Sequence, residues 1–512
     1  MARIFPTDRR IRLGIWGLGR GGAFWNLCRD LNLDVVAGCD FTEQLHAGFL
    51  RDNPGAMVTT DAEKFLASDI DAVLLATFCP QHAEDAIRCL AAGKHVLSEV
   101  TAFHTPAEGV RLVEAVAANR LVYNLAENYP FSAANMWLAD QWRKGLFGEL
   151  MYAEYEYVHE LRALAYTYLN GQPIAPDGAL HHWRSWLDYH FYCTHSLGPI
   201  MQITGTRPTR VVSLPSTHTL PGFPVQRVDG HGSLGGVAPS LITMSNGGVV
   251  RNLMGGTTSD SHIQRLWGTR GAATQGAGTG LTLRLGGHGE SPAMEVKPSW
   301  PELGEIAGAT GHGGGDFWVL YYFARQILTG EPAPWDIHAA ADVTLPGILA
   351  YRSALENGRA YDVPDFRDAR QRDLWRKDDR GQVRIDPQRH LFGEVGTERL
   401  RGFNPVMKAM VAHSQTYRAY ADWSSVADAV VDGRRVVGLA RDLAKRHAEI
   451  SATYRQARAL ADANRGSEGA RVLEELLEVG GEREVMAPGF LRSLEGAIDA
   501  LAKRFGSAMS AS

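Results

Sequence analysis

The segment from Ile11 to Asp40 constrains this chain more than any other. An apolar run, Ile11-Arg-Leu-Gly-Ile-Trp16, feeds Gly17-Leu-Gly19-Arg-Gly21-Gly22, a helix-like stretch reaches Leu31, and a second apolar run from Leu33 closes on Asp40. Strand, glycine turn, helix, strand and a terminal acid 18 residues after the third glycine make a dinucleotide fingerprint in its full context. Gly17 permits the tight turn, Gly19 lets the backbone approach a pyrophosphate, and Gly22 lets the helix sit close on its strand. Free N–H groups at the helix start favour phosphate charge. Asp40 would accept hydrogen bonds from a ribose 2′-OH and repel a 2′-phosphate, so the pattern predicts NAD rather than NADP. A glycine turn in any parallel α/β protein is the bland alternative, and the flanking strands and terminal acid weigh against it.

The same alternation continues downstream. Ala72-Val-Leu-Leu-Ala-Thr77 is an unbroken apolar strand of the kind buried on both faces. Gln81 to Ala92 reads as a helix stopped by Gly93, His95 to Ser98 as a short strand, and Thr105-Pro-Ala-Glu108 as a capping box opening a helix to about Asn119. Leu121 to Leu125 is the last strand, which ends a first domain at residue 126. Beyond it, Leu150 to Glu160 alternates with Met151, Ala153, Tyr155 and Tyr157 on one side, and Leu241 to Met254 is a hairpin about Asn246-Gly247. Arg210 to Leu214, His262 to Trp267 and Leu281 to Leu285 are further strands, and Phe317 to Leu328 and Ile337 to Glu356 are helices. Strands in succession without intervening helices imply a largely antiparallel sheet. From about residue 404 the chain is rich in Ala, Leu, Arg and Glu at helical spacing, as in Val436, Leu439, Ala440, Leu443 and Ala444. The expected fold class is therefore α/β: a Rossmann domain over 1–126, an α+β domain over 127–376 and a helical C-terminal extension over 377–512. The apolar stripes of that extension are expected to pack on the second domain or on another subunit.

A chain of 512 residues is too long for one core. Net charge is −5 with acids and bases interspersed, which points away from nucleic acid and anionic membrane surfaces and towards a small-molecule partner. Five cysteines without C-x-x-C spacing suit reduced thiols, and Met1 to Arg10 carries charges and Pro6 rather than an apolar signal segment, so a cytoplasmic protein is expected. No window reaches the length of a membrane span. His181, His182, His190, Cys193 and His195 fit no structural zinc spacing, so no metal is expected.

Leu75-Ala-Thr77 to His82 and Ala92-Gly-Lys-His-Val-Leu-Ser-Glu99, placed after the fingerprint, resemble the Gfo/Idh/MocA family of NAD(P)-dependent oxidoreductases over roughly residues 10–366. Most of that family has Glu-Lys-Pro after the strand at 95, with a catalytic lysine, where this chain has Glu99-Val100-Thr101. The NAD-dependent glycosidase branch, glycoside hydrolase family 109, also lacks the lysine, and further stretches resemble it. These are Glu127-Asn128, Gly148-Glu-Leu leading to Val158-His159-Glu160-Leu161-Arg162, Tyr192-Cys-Thr-His195-Ser-Leu-Gly-Pro199, and Gly311-His312-Gly-Gly-Gly-Asp316. The resemblance implies NAD held by Gly17, Gly19, Arg20, Gly22, Asp40, Thr77, His82, Glu99 and Glu127. It implies a sugar or glycoside met by Glu127, His159, Arg162, Arg184 and His312, catalysis by Tyr192 and His195, and a homo-oligomer, since open-faced sheets in the family commonly pair between subunits. Cys193, Ser196 and Thr101 depart from the branch's usual residues, and the C-terminal extension matches no feature of the family.

Those residue types suit the chemistry. If hydride leaves C3 of a sugar, the ketone acidifies the C2 proton, and a base can then drive loss of the C1 substituent. Tyr and His three apart at a helix start share a face, histidine titrates near neutrality, and a phenol hydroxyl donates or accepts a proton. A core tyrosine and a hydrogen-bonded core histidine would carry the same letters. Three functions stay open at this point: redox-neutral glycoside hydrolysis, a sugar or cyclitol dehydrogenase releasing NADH, and a non-catalytic sugar- or dinucleotide-binding protein.

Overall fold

The computed structural model describes residues 4–159, 183, 187–218, 227–228, 232–233, 235–256, 262–276, 280–286, 291–300, 302–382, 403–426, 430–466 and 468–505. The chain divides into two compact units, one of residues 1–160, 187–218 and 226–384, the other of 161–186, 219–225 and 385–512.

The first unit begins with six parallel strands: β1 (Ile11–Trp16), β2 (Leu33–Cys39), β3 (Met57–Thr59), β4 (Ala72–Leu75), β5 (His95–Ser98) and β6 (Tyr123–Leu125). Their order, β3-β2-β1-β4-β5-β6, reverses direction between β1 and β4. That switch point opens a crevice at the carboxyl ends of the strands, where ligands of such sheets bind. β4 is buried along its whole length, as its continuous apolar run predicts. The helix Pro106–Asn119 starts on the expected capping box, with the Thr105 side chain accepting from the Glu108 N–H. β6 starts at Tyr123 rather than Leu121, because Arg120 takes a left-handed conformation that delays the strand.

The same unit carries a nine-stranded sheet in the order β16-β15-β14-β13-β7-β12-β11-β8-β17. Its members are β7 (Leu150–His159), β8 (Pro208–Val212), β11 (Val237–Met244), β12 (Val249–Gly256), β13 (Gln264–Gly268), β14 (Gly271–Gln275), β15 (Leu281–Leu285), β16 (Met294–Val296) and β17 (Tyr361–Asp362). A separate ribbon pairs β9 (Arg227–Val228) with β10 (Gly232–Ser233). Every pairing in the large sheet is antiparallel except β7 with β12. The hairpin β11–β12 turns at Asn246-Gly247, where Gly247 has φ 87°. Central β7 buries Ala153, Tyr155 and Tyr157 on the predicted face, while Met151 at its start is exposed. The helix Thr194–Thr204 packs on β7 and β12, and the helix Ile337–Leu355 reaches from β8 to β6, tying the large sheet to the parallel one.

The second unit holds the helices Phe403–Val426, Val430–Ala463, Glu468–Val479, Glu482–Val485 and Phe490–Phe505. Its apolar stripes were expected to pack on the second domain or on another subunit. Within the unit they close on each other: Met407, Met410, Leu443, Ile450, Tyr454, Leu473 and Leu476 share one core, and the Tyr454 hydroxyl donates to the Gly480 carbonyl at 2.9 Å. Three or more stripes at helical spacing can satisfy one another, which a single stripe read in isolation does not reveal. No helix among the described residues is long and apolar enough to cross a membrane.

Candidate active site

The loop after β1 is built for a close backbone approach. Gly17 has φ 97°, and a Cβ there would stand 2.1 Å from the Ala76 carbonyl oxygen, so only glycine fits. Its N–H donates to the Cys39 carbonyl at 2.8 Å, tying the loop to the end of β2. A Cβ on Gly19 would meet nothing within 4 Å, which leaves its backbone facing open space. Gly22 was expected to let the helix approach its strand. The contact belongs to Gly21, whose Cβ would lie 2.5 Å from Ile15 Cγ2, whereas at Gly22 the nearest atoms are 3.3 Å away. The segment Leu18–Gly21 is a single helical turn, which shifts the close approach by one residue.

Asp40 is buried at the end of β2, with Oδ2 accepting from Leu18 N–H at 2.7 Å and Oδ1 from Thr42 N–H at 2.8 Å. Burial pushes its pKa above the ordinary carboxylate value, and the two backbone hydrogen bonds pull it back. Through Leu18 it holds the glycine loop to the end of β2. An open glycine, a Cβ-intolerant turn and a strand-end carboxylate fit the phosphates and ribose of NAD.

Thr77 and His82 turn inwards. Thr77 Oγ1 donates to Asp85 at 2.8 Å, and the His82 ring lies between the Thr101 carbonyl at 2.9 Å and the Thr77 carbonyl at 3.1 Å. His82 is buried, and burial pushes its pKa below the ordinary imidazole value. It joins the loops after β4 and β5 and offers no side-chain face to a cofactor. Arg20, in the turn Leu18–Gly21, bridges two carboxylates: Nε donates to Glu99 Oε1 at 2.8 Å and an Nη to Asp316 Oδ1 at 2.8 Å. Asp316 also accepts from Asn128 Nδ2 at 2.9 Å and pairs with His312 Nδ1 at 3.0 Å. Burial alone would raise the Asp316 pKa, but hydrogen bonds from His312 and Arg20 outweigh it and hold the carboxyl well below its usual range.

Tyr192 ends the short turn Tyr189–Tyr192, and His195 lies in the first turn of the helix Thr194–Thr204. His195 Nδ1 lies 2.8 and 3.0 Å from the two Glu127 oxygens, and Nε2 lies 3.2 Å from the Tyr192 hydroxyl. Glu127 Oε1 also accepts from Tyr129 N–H at 3.1 Å. A carboxylate can only accept, so Nδ1 carries the proton and Nε2 is the acceptor facing Tyr192. The three side chains form a buried phenol–imidazole–carboxylate line, the arrangement in which a base is oriented by a third group. Glu127 was expected to touch both sugar and cofactor. It is fully buried, with both carboxylate oxygens at hydrogen-bond distance from His195 Nδ1. Gly198 admits it: a Cβ there would lie 3.0 Å from Glu127 Cγ.

Around this line sit further rings, of which the sequence had proposed only His159 for the site. Tyr129 stacks on His195 with centroids 4.4 Å apart, and Tyr157 lies 4.7 Å from His195. His159 Nε2 and His262 Nε2 are 3.2 Å apart, with the Tyr129 hydroxyl 3.4 Å from His262. Tyr157 and His159 share a face of β7 by simple alternation, a signal present in the sequence. His262 arrives only through the pairing of β13 with β7, which no local pattern encodes. Of the expected site residues, Tyr192, His195, Glu127, His159 and His312 are gathered here, with Arg20 and Glu99 beside them. Arg162 and Arg184 lie outside the described residues. His190 is engaged by Asp188 and Ser213, each at 2.7 Å, and no three His, Cys, Asp or Glu side chains among the described residues are grouped to hold a metal.

Residues 11–126 match the oxidoreductase family with an NAD-binding Rossmann fold, GFO_IDH_MocA, and residues 296–373 match the C-terminal domain of glycosyl hydrolase 109. An alpha-N-acetylgalactosaminidase of Tannerella forsythia is 28% identical over 346 residues, spanning 59% of this chain and 72% of its own length. A glycosyl hydrolase family 109 protein of Phocaeicola vulgatus is 27% identical over 411 residues, 70% of this chain and 74% of that protein. Among solved structures, a levoglucosan dehydrogenase in complex with NADH and levoglucosan superposes with TM-score 0.56 at 18% identity, covering 70% of this chain and 100% of that one, a likeness of fold. The chain is an NAD-dependent enzyme that resembles Gfo/Idh/MocA oxidoreductases in its dinucleotide-binding domain and glycosyl hydrolase family 109 proteins beyond it.

Proposed function

We propose that this enzyme acts on a sugar or glycoside through transient oxidation at C3 and cleaves the glycosidic bond without net redox change. The buried Tyr192–His195–Glu127 line carries this reading. When bound, a nicotinamide would supply reversible hydride acceptance at C3. The chain itself must move protons. With no lysine after Glu99, the Tyr192 hydroxyl is the group placed to exchange a proton with the sugar, passing it to His195 Nε2 while Glu127 holds the imidazolium that forms. Once C3 is a carbonyl, its hydroxyl proton given up to water and regained when the hydride returns, loss of the C2 proton and then of the C1 substituent gives an enone, and water adds at C1. The glycosidases among the relatives support this class of reaction, which departs from the two-carboxylate scheme.

Arg20, held by Glu99 and Asp316, borders the glycine loop and supports a role near the cofactor, as Asp40 does for NAD over NADP. The five cysteines are free and buried, which supports residence in a reducing compartment such as the cytoplasm. Exposed Leu241 and Trp267 on the face of the large sheet that carries Arg251 and Glu154 support pairing between copies of the chain.

A panel of nitrophenyl glycosides with sub-stoichiometric NAD tests the function. Many turnovers of nitrophenol per NAD without accumulating NADH are expected. Stoichiometric NADH would indicate a dehydrogenase, and no reaction with any sugar a non-catalytic protein.

A further inference from the structure

The turn Tyr189–Tyr192 is only four residues long, too short to fix Tyr192 through its own backbone hydrogen bonds, yet the Tyr192 hydroxyl stands 3.2 Å from His195 Nε2. A buried side-chain network two residues upstream holds the turn instead. Asp188 opens it, with Oδ1 accepting from His190 N–H at 2.9 Å and lying 2.7 Å from His190 Nδ1. At the other edge of the ring, Nε2 lies 2.7 Å from Ser213 Oγ, one residue past β8, and that oxygen lies 2.6 Å from the Pro239 carbonyl of β11. The Asp188 N–H donates to Gln382 Oε1 at 2.8 Å. From behind, the helix Ile337–Leu355 presses on the turn: a Cβ on Gly347 would stand 2.3 Å from the His190 carbonyl oxygen.

Counting protons fixes the state of this histidine. The Pro239 carbonyl can only accept, so the Ser213 hydroxyl directs its one proton there; otherwise two oxygens would face each other at 2.6 Å with no proton between them. Towards His190, Ser213 then offers lone pairs alone, and Nε2 must donate. The Asp188 carboxylate also only accepts, so Nδ1 donates as well. Both ring nitrogens carry protons, which makes His190 an imidazolium, and its 2.7 Å contact with Asp188 has the length of a charge-assisted hydrogen bond. With the two side chains 3% and 2% exposed, Asp188 rather than water balances the charge. The charged groups of the adjoining helix are engaged elsewhere, Arg352 with Asp378 and Asp342 with Arg207 and Arg367, and β11 has no ionisable side chain.

We propose that Asp188, His190 and Ser213 are positioning residues for Tyr192, with His190 held as a doubly donating imidazolium that ties the Tyr192 turn to the ends of β8 and β11. This rests on the proton-carrying role of Tyr192 in the glycoside-cleaving reading above. The His190 protons stay where they are throughout the cycle. Their task is to keep the phenol in line with His195 Nε2, and a misplacement of about 1 Å at a reacting group costs about a hundredfold in rate. Two histidines of one short segment thus divide the work, His195 at the phenol and His190 in the support beneath it.

The test combines ring-nitrogen NMR of the NAD-loaded enzyme, isotope-labelled at histidine, with kinetics on the nitrophenyl glycoside that the parent turns over fastest. At neutral pH, His190 should show protons on both ring nitrogens, assigned by the signals that vanish in His190→Asn. That variant should lose roughly ten- to a hundredfold in kcat while KM and NAD affinity stay near the parental values. Its His195 Nε2 signal should move towards the position seen in Tyr192→Phe, because the hydroxyl has drifted away. Ser213→Ala removes the oxygen to which Nε2 donates and keeps the ion pair. It should shift the same signal and kcat in the same direction to a smaller degree, and it carries the test if His190→Asn does not fold. A single ring proton on His190 would overturn the imidazolium. Parental kcat in a folded variant, or a lowered kcat with the His195 signal unmoved, would overturn the positioning role. A parental enzyme that cleaves no glycoside would overturn the function, while the His190 and His195 signals would still decide whether this network holds Tyr192.

Discussion

His195 has a carboxylate behind it and a phenol ahead of it, an arrangement that separates its chemical role from its structural one. His195→Gln can still present an amide N–H to Glu127, so the fold and NAD binding should survive while glycoside turnover drops by roughly a hundred- to ten-thousandfold. His195→Ala should lose as much turnover and also melt several degrees earlier, because Glu127 would be left buried without its imidazole partner. A glutamine variant with parental turnover would return His195 to the core. Asp40 calls for the same care, since its carboxylate holds Leu18 N–H. Asp40→Asn keeps an oxygen for that bond, gives up the one from Thr42 N–H and removes the charge. It should narrow the preference for NAD over NADP by roughly ten- to a hundredfold, read as the ratio of the two dissociation constants. An unchanged ratio would show that Asp40 does not face the ribose. The juxtaposition of Tyr192 and His195 was legible in the sequence because it is local, and the place of Asp40 at the end of β2 because the apolar run before it stops there. Tyr129 and His262 were not, since one stacks and the other arrives across a strand pairing that joins distant segments.

The helix Thr194–Thr204 presents Gly198 to Glu127, and a methyl group there would crowd Glu127 Cγ at 3.0 Å and Trp335 at 3.3 Å. Alanine is the better helix former by about 1 kcal/mol, so Gly198→Ala should leave the melting temperature within a few degrees of the parent. It should also lower kcat by roughly ten- to a hundredfold through a displaced carboxylate. Lower kcat with preserved melting separates this from a general packing defect, and an unchanged kcat would show that Glu127 has room to move. The strands and helices of the parallel sheet follow from periodicity and caps that lie within a few residues: the β4 run, the Thr105 box and the Gly93 stop. The large sheet was less legible. Its β7–β12 pair is parallel among antiparallel neighbours, and the edge strands β16 and β17 are too short to carry a pattern of their own. The close approach at Gly21 instead of Gly22 has the same origin, since only the observed pitch of the first turn decides which glycine meets Ile15.

At the scale of the molecule, Asp316 joins the glycine loop of the parallel sheet, through Arg20, to the His312 turn that precedes the helix Gly315–Thr329. Its pKa is depressed from 3.8 by hydrogen bonds that outweigh burial. The stability it contributes is therefore complete above about pH 4 and is lost as pH falls through its lower folded value. Asp316→Asn should be less stable than the parent at pH 7, and the difference in urea midpoint should shrink below about pH 4; a constant difference would show that the ion pairs do not stabilise the fold. The helical unit illustrates what sequence alone withholds at this scale. Its helices were legible, but their shared core was not, because mutual burial of several stripes depends on how they assemble. The central claim is that protons leave and return at C2 while hydride is borrowed from C3. Its most direct test is hydrolysis of a glycoside in deuterated water with catalytic NAD, with the product sugar analysed by NMR. Deuterium at C2, protium retained at C3 and no accumulated NADH are predicted, whereas a product with protium at C2, or NADH in proportion to product, would contradict the account.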